Sequence, residues 1–288
     1  MRRGSLAASL LVVLALSACG SSVSPRQASS VPWQPPAGCA EGTPGCVDGV
    51  VAEMERRLDG LAAACDHDAP FALMYLRVTQ AVRRGERSPG AYADAAYLAR
   101  LDAGFARLYF DAFDAWHRGR RAHVPDAWQV AFELADRGRV TGVGDLLLGM
   151  NAHISRDLPF AVAGLGFQPG RRSAQQESFS QVNGVLERVA RPMLRETARR
   201  FDPTIATFAL PVLGASEGNL GILLGGWRAT ALRDAERLLD APTAERRAAV
   251  ARSIERTAAA RAGVIAAATS RASFSKAGRA RDAYCRAR

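Results

Sequence analysis

The sequence predicts an all-α fold: a single multi-helix bundle domain after a lipoprotein signal peptide and a flexible linker. From residue 46 onward, apolar residues recur three and four apart in nearly every segment, the period of one helix face. Alternating β-branched runs, the mark of half-buried strands, are scarce, and no internal repeat is present. Removing residues 1–18 as a leader leaves 270, enough for one large domain or two small ones.

The elements follow in order. Asp48–Ala64 and Pro70–Arg84 read as a first helix pair, with Asp68 as N-cap and Pro70 in the first turn of the second. A long helix is expected from about Tyr92 to Arg118, and a shorter one after Pro125 carries Trp128 and Phe132. Val143–Gly164 reads as a helix apolar almost all round, and Ala174–Arg200 as a long amphipathic one. Asp202-Pro203 breaks the pattern and opens a connection containing Pro and Gly that reaches Gly218. Asn219–Asp240 and Thr243–Ser270 close the domain, the last started by Pro242, Thr243 and Glu245. The expected organisation is a signal peptide over 1–18, a lipid-anchored linker over 19–46, a helical domain over 47–270 and a polar tail over 271–288.

Arg2, Arg3, the apolar run Leu6–Leu16 and the small residues behind it form a secretory signal. That run is too short to span a bilayer, which takes about 20 apolar residues. Leu16-Ser17-Ala18-Cys19 resembles the bacterial lipobox, whose cysteine receives diacylglycerol and becomes the new N-terminus. The resemblance implies an extracytoplasmic protein anchored to the cell membrane through lipid on Cys19. Residues 20–37 are rich in Ser and Pro, cannot bury a core, and read as a tether.

The net charge of +10 becomes +8 once Arg2 and Arg3 leave with the signal. No nucleic-acid partner is expected from this, because the cations are scattered Arg pairs such as Arg56-Arg57 and Arg199-Arg200, with Lys276 the only lysine and no recognition motif. Four further cysteines in an oxidising compartment suggest two disulfides, with three possible connectivities. Cys39 and Cys46 flank a turn-rich stretch that can close a small ring, which leaves Cys65 for Cys285; free thiols are the alternative.

Polar residues interrupt several apolar stripes. Asp102 falls on the stripe of Leu98, Phe105, Tyr109, Ala112 and Trp116. Within 143–164, Ala152, Ser155 and Arg156 look solvent-facing, yet the segment also carries Asn151, His153 and Asp157. His153 and Asp157 are four apart and meet on one helix face. Asn183 lies among Phe179, Val182, Leu186 and Ala190, and Asp234 on the stripe of Trp227, Ala231 and Leu238. Unpaired buried carboxylates are costly, so these groups are expected to converge on one polar cluster, with Arg77 and Arg228 neutralising it. His153, Asp157 and Asp102 are then the catalytic candidates; Asn151, Asn183, Asp234, Arg77 and Arg228 are the binding candidates.

The string Met150-Asn151-Ala152-His153-Ile154-Ser155-Arg156-Asp157-Leu158-Pro159 resembles an actinobacterial family of unknown function marked by a Met-Asn-Ala-His-Ile-x-x-Asp-Leu-Pro helix. Tyr75–Thr79, Asp102 with Phe105 and Tyr109, Trp128, Val182-Asn183 and Gly226-Trp227 agree with it, so the resemblance spans roughly 47–240. It implies an all-helical fold and no particular activity. The lipobox, the extra cysteines and a Gly-rich stretch near 211–219 depart from the family pattern.

Other motifs carry less. Gly214-Ala215-Ser216-Glu217-Gly218 fits a nucleophile-elbow pattern, but every histidine precedes Ser216 and Pro211 interrupts the strand it needs. His153-x-x-x-Asp157 is similar to a pair used by zinc-dependent phospholipase C, but that family needs several more histidines, whereas His67, His117 and His123 read as surface positions. A divalent metal remains an open cofactor, its identity unspecified. Three functional expectations result: a ligand or catalytic pocket at the cluster, a non-enzymatic envelope module in which the cluster only fixes helix packing, and a metal-dependent hydrolase.

Overall fold

The computed structural model describes residues 32–270 and 276–287, so Cys19 and the expected leader lie outside the described residues. Helix α1 spans Pro44–Ala63, α2 Ala69–Glu86, α3 Ala95–His117 and α4 Asp126–Asp136. Next come α5 (Gly142–Asn151), a π-helical turn (Ala152–Asp157) and α6 (Leu158–Leu165) in one unbroken run. Then follow α7 (Arg172–Arg200), α8 (Leu220–Leu239), α9 (Ala244–Thr269) and α10 (Lys276–Arg286). The chain is all-α apart from a two-stranded antiparallel hairpin, β1 (Ala209–Leu210) and β2 (Ala215–Ser216), in the connection before α8.

Local chemistry explains the boundaries. Asp94 caps α3 by accepting from the Tyr97 N–H at 3.0 Å, Thr141 caps α5 through Gly144, and Thr243 caps α9 through Arg246. Asp68 stands at the N-cap of α2, but its side chain makes no cap bond and lies 3.5 Å from His117 Nε2 instead. The segment expected as one helix over 143–164 contains the π-helical turn because of Pro159. Its ring has no N–H to donate and crowds the carbonyl four residues back, so the helix widens there.

Two glycines allow close crossings. A Cβ on Gly149 would lie 2.4 Å from the Phe71 ring, so glycine lets α2 press against α5. A Cβ on Gly221 would meet the Glu187 backbone at 2.7 Å, where α8 crosses α7. On α9, buried Ile254, Ala258, Ala262 and Ile265 form a narrow stripe against α4 and α5.

Segments flanking residues 47–270 also pack against the helices. Trp33 packs edge-on against Phe110 at 5.0 Å, and the Cys39–Cys46 disulfide closes a ring into the first turn of α1. The polar tail holds α10, which the Cys65–Cys285 disulfide ties to the end of α1. Arg281 reinforces that tie by donating to the Cys65 carbonyl at 3.1 Å. Ser216 sits at the hairpin end, its hydroxyl donating to Asn219. No helix among the described residues is long and apolar enough to cross a membrane.

Candidate functional site

The π-helical turn projects His153 and Asp157 into the middle of the bundle, where they are 2 % and 0 % exposed. Asp157 accepts three hydrogen bonds. Trp128 Nε1 on α4 donates to Oδ2 at 2.8 Å, His153 Nδ1 approaches the same oxygen at 3.2 Å, and Arg156 Nη1 donates to Oδ1 at 3.0 Å. Arg156 Nε also donates to Glu255 on α9 at 2.8 Å, so one network ties the turn to α4 and α9. The His153 imidazole stacks on Phe105 with centroids 3.5 Å apart and meets the Tyr75 and Phe71 rings edge-on at 4.3 and 5.8 Å.

Burial pushes the His153 pKa below its usual value, against the opposing pull of Asp157. The ring is therefore neutral near pH 7. A carboxylate only accepts, so the network assigns its single proton to Nδ1. Nε2 is left as an acceptor, buried and without a hydrogen-bond partner.

A second polar lobe is centred on Arg228. Arg228 of α8 is buried; its Nε donates to Asn183 Oδ1 at 3.0 Å and its Nη2 to the Phe179 carbonyl at 2.7 Å. Burial lowers its pKa to about 10, partly countered by Asp102. Asp102 itself is pushed up to about 7 by burial, against the pull of Arg228, and its Oδ2 is sealed without a partner. Glu86 joins it from α2: both its oxygens are sealed and unpartnered, and burial followed by repulsion from Asp102 lifts it to about 8. Burial, then Asp102, then Asp157, raise the Tyr75 phenol well above its usual value, which places Tyr75 within electrostatic reach of both lobes.

Of the expected cluster, His153 and Asp157 share one hydrogen bond and Asn183 and Arg228 another, while Asp102 acts through space on both Arg228 and Tyr75. Three other residues lie apart. Asn151 is fully buried but turns to α9, donating to the Ala258 carbonyl at 2.8 Å. Arg77 pairs with Glu196 on α7 at 2.8 Å. Asp234 pairs with Arg237 at 2.8 Å, because the buried face of α8 runs through Leu224, Arg228, Ala231, Ala235 and Leu238 and leaves Asp234 one step to the side.

Several partners were not visible in the sequence. Ala152 is buried rather than solvent-facing, and Arg156 is half-buried and paired. His67 is no free surface histidine: Nδ1 lies 2.9 Å from Asp145 and Nε2 3.2 Å from Asp282. The His117 side chain is likewise largely buried, while His123 is exposed. Among the described residues, no group of three or more His, Cys, Asp or Glu side chains is placed to hold a metal ion. The lone pairs of Asp157 that a metal would need already face Trp128 and Arg156.

A family profile described as a family of unknown function, DUF5995, matches residues 47–268. The chain belongs to the DUF5995 family. The match begins in α1 and ends in the last turn of α9, so it includes both polar lobes of this DUF5995 chain. No curated protein and no solved structure matches the chain.

Proposed function

We propose that this DUF5995 protein is an exported lipoprotein, held to the outer face of the cell membrane through Cys19. Its helical domain acts there as a non-enzymatic binding module, and the His153–Asp157 dyad is the polar keystone that sets helix register. One observation carries this reading: Asp157 has no solvent exposure, and three donors from two helical segments converge on its two oxygens. A buried network in which the carboxylate is so fully engaged rigidifies and specifies a core.

A second reading treats the dyad as an acid–base pair. It is favoured by the unpartnered Nε2 lone pair on a ring whose other nitrogen a carboxylate orients. Diethyl pyrocarbonate, which acylates accessible neutral imidazoles, separates the two. With peptide-level mass spectrometry at neutral pH, the keystone reading expects exposed His123 to be modified while His153 stays intact in the folded protein. Modification of His153 at a rate near that of His123 overturns it in favour of the acid–base pair. For the anchor, Cys19→Ala is expected to move the protein out of the membrane fraction, and continued pelleting with membranes contradicts the tether.

A further inference from the structure

We propose that the cavity between α1, α4 and α10 binds a small monoanion with an apolar body, such as a medium-chain carboxylic acid. The site lies apart from the His153–Asp157 dyad and does not depend on how that dyad is read. Its volume of about 910 Å³ falls within the range of small-molecule sites. Ala63 and Ala64 bring exposed apolar surface to its lining, with buried Leu61 and Phe113 behind them. Cys65 and, from α10, Asp282 and Arg286 make one wall, so the Cys65–Cys285 disulfide holds that wall in place.

The charge available to a ligand is decided by which groups are already engaged. Three acids face the cavity, and each has a donor. Asp66 accepts from the Asp68 N–H at 2.9 Å, Asp136 from Trp116 Nε1 at 2.9 Å, and Asp282 from Arg281 Nη1 at 3.0 Å, with His67 Nε2 at 3.2 Å on the same oxygen. Two arginines are engaged as well: Arg57 by Asp114 at 2.8 Å and Arg56 by Glu53 at 2.7 Å.

Two cations remain. Arg286 is exposed and makes no hydrogen bond or ion pair among the described residues. Arg137 holds only a one-turn pair with Glu133, with the side chains 63 % and 47 % exposed, and such pairs contribute little. The carbonyl ends of α1 and α4 border the same space and repel an anion from its inner part. The ligand's acid group therefore sits at the mouth, on Arg137 and Arg286, with its apolar body against Ala63, Ala64 and Cys65.

Calorimetric titration of the purified protein with octanoate, octanol and octyltrimethylammonium tests this. Octanoate is expected to bind about tenfold or more tighter than the other two, a gap of about 1.4 kcal/mol. The double variant R137Q/R286Q changes only exposed side chains and is expected to keep its Tm while octanoate falls to the octanol level. Ala64→Trp, on the cavity wall, is expected to remove binding of octanoate and octanol alike. Competition by phosphatidylglycerol vesicles distinguishes the source: displacement of octanoate assigns the anion to a membrane lipid, and its absence assigns it to a free acid. Equal affinity for octanoate and octanol, unchanged octanoate affinity in R137Q/R286Q, or no octanoate heat at millimolar concentration overturns the proposal.

Discussion

Asp157→Ala removes the acceptor on which Trp128, His153 and Arg156 converge. Trp128 is 1 % exposed, so its indole N–H is left buried and unpaired, a loss of about 1–3 kcal/mol by itself. The His153 Nδ1–H is stranded in the same way at 2 % exposure. Arg156 suffers less, because it keeps Glu255 and its side chain is 18 % exposed. These costs overlap, and removing one partner of a buried charged network sets the total at about 3–5 kcal/mol. For a domain of this size that lowers Tm by roughly 6–20 °C. Asp157→Asn keeps the shape and one acceptor, so it is expected to lose about half as much. Thermal and urea unfolding, followed by near- and far-UV circular dichroism with coincident transitions, measures both. A change below about 1 kcal/mol for Asp157→Ala would refute the reasoning that the network holds the helices together.

Three further outcomes follow from the same geometry. Asp102 and Glu86 have raised pKa values in the folded state, so their stabilising contribution is full below about pH 4 and is lost as pH rises through about 7 to 8. Asp102→Asn is therefore expected to flatten the fall in stability between about pH 4 and about pH 8 and to exceed the parent at about pH 9; a parallel profile contradicts the buried carboxyl pair. His153 is depressed, so its contribution is present above about pH 6.5 and lost as pH falls, and a variant lacking this imidazole is expected to be less sensitive to acid over that window in urea titrations. The Cys65–Cys285 bond closes a separation of 220 residues against 7 for Cys39–Cys46, so chain entropy makes its loss the larger, about 5 against about 2 kcal/mol. Hydrogen exchange should show α10 losing protection first in Cys285→Ser, and an unchanged α10 contradicts the latch.

Helix positions were legible because their signals are local. Thr243 before Glu245 and the Asp202-Pro203 break sit where short-range chemistry places them. The i,i+4 spacing of His153 and Asp157 likewise put both on one side of the turn. What was not legible depends on packing between distant segments. Arg156 looks solvent-facing on its own helix, and only α9 crossing above it supplies Glu255. Glu86 stands at the end of α2, and its repulsion with Asp102 arises only once α3 packs beside α2. Asp234 looked central because Trp227, Ala231 and Leu238 bracket it, but Arg228 and Ala235 define the buried face. The π-helical turn has a visible cause in Pro159, yet a proline there is equally compatible with a helix start, so the wider turn is known only from the backbone.

The most direct test of the keystone is the nitrogen spectrum of His153 in uniformly ¹⁵N-labelled protein. A neutral ring at about pH 7 with its proton on Nδ1 and a free pyridine-type Nε2, the imidazolium forming only below the ordinary imidazole value of about 6.5, is the expected result. An imidazolium at neutral pH, a proton on Nε2, or an Nδ1–H that exchanges with solvent as fast as that of exposed His123 would contradict a sealed dyad locked by Asp157.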